Sequence, residues 1–270
     1  MIQIKGISSI TPLGLGVEEL SARSLLNDKA NLLASPEFYN YKYLSGLNLL
    51  PKISQYGCIS VYEAIRFAGY AVNSEKDSKT AVIVSNNYGS IHAIKDMFID
   101  ADKYGPKGVN PRFFPGTVLN VVAGHISIKF RFSGPNITIS EGVESGCKSL
   151  LYAYELLNRE DLKRVLVCDL NIFPPTGYKK PVENYLTEFE HVSSILMEKV
   201  DEGVDRKEGV SIAINNISES KNEYFNNKIM ASEFTPKLLT NVYKILKYEY
   251  NSQTEIQVST DDSLFNIILN

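Results

Sequence analysis

Short apolar runs bounded by turn residues indicate the strands of this sequence. The clearest run reads TAVIVS at 80–85, and a β-branched run at 137–140 follows the turn residues Gly134 and Pro135. Runs of this length are typical of strands that are covered on both faces of a sheet. The same criteria predict strands at 2–10, 80–85, 137–140, 164–168, 191–200, 209–217 and 255–259.

Apolar residues with helical spacing lie between these strands. The strongest pattern follows the run at 137–140, where one face of a helix is formed by Val143, Cys147, Leu150, Leu151, Tyr154 and Leu157. Thr117 has the side chain of a good N-cap. The patterns predict helices at 17–26, 60–72, 91–99, 117–129 and 238–248, and one more that begins at 143.

The order of these elements predicts the class of fold. Strands and helices alternate, which favours an α/β protein with helices on both faces of a mixed sheet. The charged segment DEGVDRKE at 201–208 predicts a hairpin between the strands at 191–200 and 209–217. Residues 171–188 have the length of a loop that covers a site or a partner. Nothing resembles a linker, so 1–270 is interpreted as one domain.

The junction between the strand at 137–140 and the next helix is the first candidate for chemistry. Only Glu141 and Gly142 separate the two elements. A sharp strand-to-helix turn places its first helical residue at the positive end of the helix dipole, which favours a thiolate or alkoxide nucleophile. The residue predicted at that place is Val143, which has no nucleophilic atom.

Composition excludes several other classes of function. The 270 residues carry a formal net charge of −3, so no global field recruits nucleic acid or an anionic membrane. We see no signal peptide and no apolar run near the ~18 residues of a membrane span. Three cysteines at 58, 147 and 168 do not form a disulfide framework. A cytoplasmic protein is the expectation.

Cofactor and metal motifs are incomplete. Gly14 and Gly16 follow the first predicted strand, but Glu19 stands where the third glycine of a dinucleotide fingerprint would be. Neither the histidines nor the cysteines have metal-ligand spacing. We therefore expect neither a bound cofactor nor a metal.

Several segments in order resemble the ketosynthases, the condensing enzymes of the thiolase superfamily. They are GISSITPLGLG at 6–16, NNYGS at 86–90, VNPRFFPGTVLNVVAGHISIKFRFSGPNITIS at 109–140, and ESG at 144–146. The resemblance implies a thiolase-like layered α/β/α fold of two similar halves. It also implies a dimer in which the central strands of two subunits pair.

The sequence departs from the family where the chemistry lies. Ketosynthases carry a nucleophilic Cys just after the strand that follows GPN, and here the matching residue is Val143, with Glu141 and Glu144 beside it. Two carboxylates there would oppose an anion. The family's two C-terminal histidines have no counterpart, since Ser259-Thr260-Asp261-Asp262 stands where the first would fall. We interpret the chain as an N-terminal half with a shortened second half.

These departures predict a non-catalytic subunit that resembles chain length factors. It would pair with an active, full-length ketosynthase of fatty acid, polyketide or polyene biosynthesis, aryl polyenes being one option, and would meet acyl carrier protein through that partner. Residues expected at the partner interface and acyl pocket are Phe113, Phe114, Val118, Leu119, Val122, Asn136, Ile137 and Ile139.

Two other functions stay open on the sequence alone. The chain could be an acyltransferase or hydrolase with a relocated nucleophile at Cys147, Ser140 or Ser145. It could instead be a homodimeric module that binds an acyl chain or an acyl carrier protein. The sequence does not give the acyl chain, the number of elongations or the identity of the partner.

Overall fold

The structure is a computed structural model, and it describes residues 1–16, 41, 44–72, 75–175, 190–200, 212–221, 229–230, 254–259 and 263–269. Of the elements expected from the sequence, the helices at 17–26 and 238–248 and most of the loop at 171–188 lie outside the described residues.

The described strands form one mixed sheet. They are β1 (Ile2–Thr11), β2 (Gly14–Leu15), β3 (Thr80–Asn86), β4 (Asn136–Ile139), β5 (Arg164–Asn171), β6 (His191–Lys199), β7 (Ile212–Lys221), β8 (Ile229–Met230), β9 (Thr254–Ser259) and β10 (Ser263–Leu269). Their order is β4-β3-β5-β6-β1-β7-β10-β9-β8, and β2 pairs with β1. The strands β4, β3 and β5 are parallel, whereas β6 is antiparallel to both β5 and β1.

Four α-helices are described, which are α1 (Lys52–Phe67), α2 (Gly89–Tyr104), α3 (Val121–Phe130) and α4 (Ser145–Arg159). Three of them, α1, α3 and α4, pack on this sheet. Side chains of α1 and α3 join one apolar core with alternate residues of β3 and β5. Side chains of α4 form the other core, on the opposite face of the sheet, with the remaining alternate residues of β3 and β5. The expected α/β architecture with helices on both faces of a mixed sheet is confirmed.

Two helices begin elsewhere than their apolar spacing predicts. The helix expected at 60–72 starts eight residues earlier, after Pro51, and ends before Gly69, whose φ of +74° breaks it. The helix expected from Thr117 starts at Val121, because Val118 is extended. Thr117 is not its cap; its hydroxyl donates to the carbonyl of Phe114 at 2.8 Å.

The predicted hairpin of β6 and β7 is wrong. Strand β1 lies between them and pairs with both, through Ile2, Gln3 and Ile4 among others. Strands β6 and β7 were expected to pair with each other across a turn at 201–208, but each of them pairs with β1 instead. Strand β10, which pairs with β7 and β9, was not predicted from the sequence.

Close packing of α1 on β1 depends on Gly6. An added Cβ at Gly6 would lie 2.0 Å from the carbonyl oxygen of Ala64, whereas one at Gly124 of α3 would meet nothing within 4 Å. We expect Gly6→Ala to lower the free energy of unfolding by about 1–3 kcal/mol through overpacking. Gly124→Ala, the matched change inside a helix, should raise it by about 0.5–1 kcal/mol. Urea denaturation of both variants measures these changes, and equal effects would contradict the packing argument.

Candidate functional site

The turn between β4 and α4 is the place where the sequence predicted a nucleophile. Gly142 has a φ of 60°, and residues Gly142–Glu144 form a 3-10 turn before α4 begins at Ser145. The sequence predicted Val143 as the first residue of the helix, but it lies in this turn, two residues before α4 begins.

Asn87, just after β3, holds this turn. Its amide nitrogen donates to the carbonyl of Gly142 at 2.7 Å. The hydroxyl of Ser145 lies 2.9 Å from both the side-chain oxygen of Asn87 and the carbonyl of Gly142. The same hydroxyl accepts from the backbone N–H of Glu141 at 2.8 Å. Asn87, Glu141, Gly142 and Ser145 are therefore joined in one hydrogen-bonded cluster.

The charge at the turn differs from the sequence expectation. Lys148, one turn into α4, pairs with Glu141 and lies 3.0 Å from Glu144. Hydrogen bonding to Glu141 is the largest cause that raises the pKa of Lys148. The two carboxylates therefore share one ammonium group, and the cluster carries a charge of about −1 rather than the −2 implied by the glutamates alone.

The proposed substitute nucleophiles sit in settings that do not activate them. Cys147 is buried, and burial, followed by the charges of Asp169 and Glu144, raises the pKa of its thiol well above the usual range. A nucleophilic cysteine needs the opposite shift. The hydroxyl of Ser145 bonds to the amide oxygen of Asn87, a backbone carbonyl and a backbone N–H, and none of these groups is a general base. The exposed Ser140 donates to Asn87 at 3.4 Å.

The histidines are distributed over three parts of the fold. His92 of α2 lies 2.9 Å from the carbonyl of Phe173, just after β5. His125 of α3 lies 2.8 Å from the hydroxyl of Ser54, and burial lowers its pKa. His191 is buried at the start of β6.

A buried polar row lies on the α4 side of the sheet. Ser85 donates to Asp169, and the second carboxylate oxygen of Asp169 is 3.9 Å from Nε2 of His191. The amide of Asn171 lies 3.4 Å from the same ring nitrogen. Burial of these groups agrees with mutual pairing, since buried polar atoms are costly without partners. Among the described residues, no group of three or more His, Cys, Asp or Glu could hold a metal ion.

Exposed apolar side chains lie on α2 and on the segment that begins at Pro111 and leads into α3. Of the sixteen residues of α2, only Gly89 and Ser90 are buried, although the helix packs against Pro111–Thr117. We name the exposed large apolar side chains at 98–99 of α2 and at 114–119 the apolar face: Phe98, Ile99, Phe114, Val118 and Leu119. Patches of this kind usually correspond to interaction sites.

The residues that the sequence assigned to a partner interface do not all lie on this face. Phe114, Val118 and Leu119 are on it, and Phe113 is half-buried beside them. Val122 is in the core, where its Cγ1 would be 2.9 Å from a Cβ added at Gly57. We therefore leave Val122 out of the proposed surface.

The remaining predicted interface residues belong to β4, the edge strand of the described sheet. Ile137 and Ile139 are half-buried against the α4 core. Asn136 is largely exposed, and its amide donates to the carbonyl of Ala123 at 2.9 Å and to the hydroxyl of Ser127 at 2.7 Å. Asn136 therefore holds β4 against α3.

One side of the β4 backbone has no partner strand among the described residues. Val82 of β3 donates to the carbonyl of Pro135 and stands opposite Asn136, so parallel geometry directs the backbone groups of Ile137 toward β3. The N–H and C=O groups of Asn136 and Thr138 then point to the open edge. Such an edge is a template for pairing with another strand.

Sequence reasoning missed Asn86 as a site residue. Asn86 is fully buried, its amide donates to the carbonyl of Leu119 at 3.0 Å, and its oxygen accepts from the N–H of Gly89 at 2.8 Å. The available signal was the pair of amide residues, Asn86 and Asn87, directly after an apolar strand, where α/β proteins place ligands.

A protein-family model matches part of the chain. The model for the β-ketoacyl synthase N-terminal domain matches residues 48–172. The chain is 30% identical over 103 residues to 3-oxoacyl-(acyl-carrier-protein) synthase 2 of Vibrio cholerae, covering 38% of this chain and 25% of that protein. For the Vibrio harveyi protein of the same name, the identity is 24% over 152 residues, covering 56% and 37%. The chain therefore spans well under half the length of these curated relatives.

Solved structures match over nearly all of the chain. The ishigamide ketosynthase/chain length factor has a TM-score of 0.74 at 13% identity and covers 99% of this chain and 98% of its own. The complex of a ketosynthase with its chain length factor from Xenorhabdus doucetiae has a TM-score of 0.65 at 16% identity and covers 98% of both. At identities this low the structural similarity shows the fold alone, and that fold is the one these ketosynthase and chain length factor structures have. In the described part of the chain, no helix has the length and apolarity that crossing a membrane requires.

Proposed function

Since residues 48–172 match the model for the β-ketoacyl synthase N-terminal domain, we propose that the chain is a non-catalytic subunit of the chain-length-factor type. It pairs with an active ketosynthase in fatty acid, polyketide or polyene biosynthesis and shapes the pocket for the growing acyl chain. Acyl carrier protein meets the pair through the active subunit.

The observation that carries this proposal is the turn between β4 and α4. Val143 occupies the place of the family nucleophile, and a hydrocarbon side chain cannot attack a thioester. The nearest alternatives do not replace it, because the pKa of Cys147 is raised by burial and Ser145 is bonded within the turn. Condensation would therefore take place on the partner.

The apolar face supports a pairing role. Phe114 is 67% exposed and Leu119 is 42% exposed, although both side chains are strongly apolar. Leaving such surface in water costs roughly 25 cal/mol for each Å2, so covering it with a partner is favourable. Since Phe114 and Leu119 lie in the segment that the resemblance assigns to the acyl pocket, they are the side chains we propose to limit the length of the acyl chain.

The open edge of β4 supports the same partner. A ketosynthase has a central strand of its own to offer, as the resemblance implies. Pairing of two such strands would satisfy the backbone groups of Asn136 and Thr138 and would continue the sheet into the second subunit.

Co-expression with a ketosynthase that retains its cysteine and two histidines tests the proposal. We expect a one-to-one complex in native mass spectrometry, and acyl-chain extension by the complex from malonyl-loaded carrier protein. In the complex, an acyl adduct should form on the partner and not on this chain. A stable monomer at micromolar concentration beside an unbound ketosynthase would contradict the proposal. An acyl adduct on Cys147 or Ser145 would replace it with an acyltransferase or hydrolase, and a stable homodimer would replace it with a binding module.

A further inference from the structure

Two consecutive asparagines follow the apolar run of β3 and face opposite sides of the sheet. Successive side chains of a strand alternate, and Asn86 lies on the side of α1 and α3, with Val82 and Val84. Asn87 lies on the side of α4, where it bonds to Gly142 and Ser145. One strand end therefore contacts both the turn at the nucleophile position and the segment that leads into α3.

The contact of Asn86 fixes the backbone beneath the apolar face. Its amide group uses the donor for the carbonyl of Leu119 and the acceptor for the N–H of Gly89, which opens α2. An added Cβ at Gly89 would come within 2.4 Å of the Asn86 oxygen and within 2.2 Å of Ile53. The position of Leu119 relative to α2 thus depends on one buried side chain in tight surroundings.

We propose that Asn86 is a positioning residue that sets how far Leu119 reaches toward the partner subunit, and thereby the acyl-chain length that the pair accepts. The inference rests on the proposed function, because chain length has a meaning only if the chain shapes an acyl pocket. Asn87 has the parallel role of fixing the turn 140–145, because its side chain bonds to Gly142, Ser140 and Ser145. Asn86, and not Asn87, bonds to Leu119.

Isosteric changes separate the two roles. Asn86→Asp keeps the acceptor for Gly89 and replaces the donor to Leu119 with an acceptor, so two oxygens face each other. Asn87→Asp makes the matched change toward Gly142 and adds the same charge. Leu119→Ala shortens the side chain itself and serves as the reference for a changed pocket wall.

Hydrogen exchange on the isolated chain is the first measurement. We expect amides at 119–122 to exchange about fivefold faster in Asn86→Asp, as for the loss of one hydrogen bond, and those at 141–145 to change in Asn87→Asp instead. A chain that unfolds on Asn86→Asp is replaced by Asn86→Ser, which has a shorter donor and the same expected pattern. Unchanged exchange at 119–122 in a folded variant would overturn the positioning role.

Product analysis of the reconstituted pair, fed with malonyl-loaded carrier protein, is the second measurement. Asn86→Asp should change the ratio of adjacent chain lengths about fivefold in the direction set by Leu119→Ala, while Asn87→Asp leaves it unchanged. If Leu119→Ala changes the products and Asn86→Asp does not, the inference fails and the proposed function stands. If neither changes the products of an assembled pair, the proposed shaping of the pocket fails as well.

Discussion

Replacing Phe114 with aspartate should abolish most of the affinity for the proposed ketosynthase partner. Phe114 is the most exposed aromatic side chain of the described residues, and aromatic side chains at the centre of an interface carry a large share of the binding energy. Loss of an anchor of this type costs about 2 kcal/mol or more, so we expect Kd to rise at least ~30-fold for Phe114→Asp. Isothermal titration with the purified partner measures the change.

The chain offers a matched control for this variant. Phe67, at the end of α1, is also exposed, and Phe67→Asp makes the same chemical change. The other end of α1 adjoins the segment of Phe114, since a Cβ at Gly116 would lie 3.8 Å from Pro51. The sixteen residues of α1 place Phe67 roughly 24 Å away along the helix. If Phe67→Asp weakens binding and Phe114→Asp does not, the interface is elsewhere.

The three cysteines should resist alkylation in the folded protein. Burial raises the pKa of Cys58 and of Cys168 to about 12, and raises the pKa of Cys147 well above its usual range. At pH 8, a thiol with a pKa of 12 has about a thousandth of the thiolate of one with a pKa of 9. We expect iodoacetamide to modify the native chain at least ~1000-fold more slowly than the chain in guanidinium, as followed by mass.

Burial of the cysteines also makes the stability of the folded chain fall at high pH. Burial in the folded state raises the pKa of Cys58 and Cys168 from the ordinary value of 9.0 to about 12, so the folded chain binds more protons than the unfolded chain between pH 9 and about 12. The stability that these groups contribute is fully present below pH 9 and is lost as the pH rises through this window.

In the alkylation experiment, rapid modification of Cys147 at pH 8 with the fold intact would instead favour a relocated nucleophile.

The sequence was sufficient where burial and backbone chemistry act locally. The runs at 80–85 and 164–168 became β3 and β5 because their side chains are apolar on both faces. The approximate place of the turn before α4 was also predictable, since Gly142 adopts a positive φ there. The identity of residue 143 is a fact of the sequence and needs no coordinates.

Sequence reasoning failed where distant segments compete. The pairing of β6 and β7 was inferred from their proximity in the chain, but β1 lies between them and takes both. A neighbour along the chain was overlooked too, since Lys148, one helical turn beyond Glu144, neutralises part of the charge of Glu141 and Glu144. The hydrogen-bond partners of the Ser145 hydroxyl also depended on the fold, because they come from Asn87, just after β3, and from the turn.

The sequence by itself determined the α/β class, the family resemblance and the presence of valine at the nucleophile position, because periodicity, turn residues and motif order are properties of neighbours along the chain. The tertiary structure decided which side chains face solvent and which are bonded. It placed Val122 in the core and Leu119 on the apolar face, and it brought Asn86 and Asn87 between two segments that are distant in the chain. These contacts join residues 33 and 55 positions apart, and only folding brings such residues together.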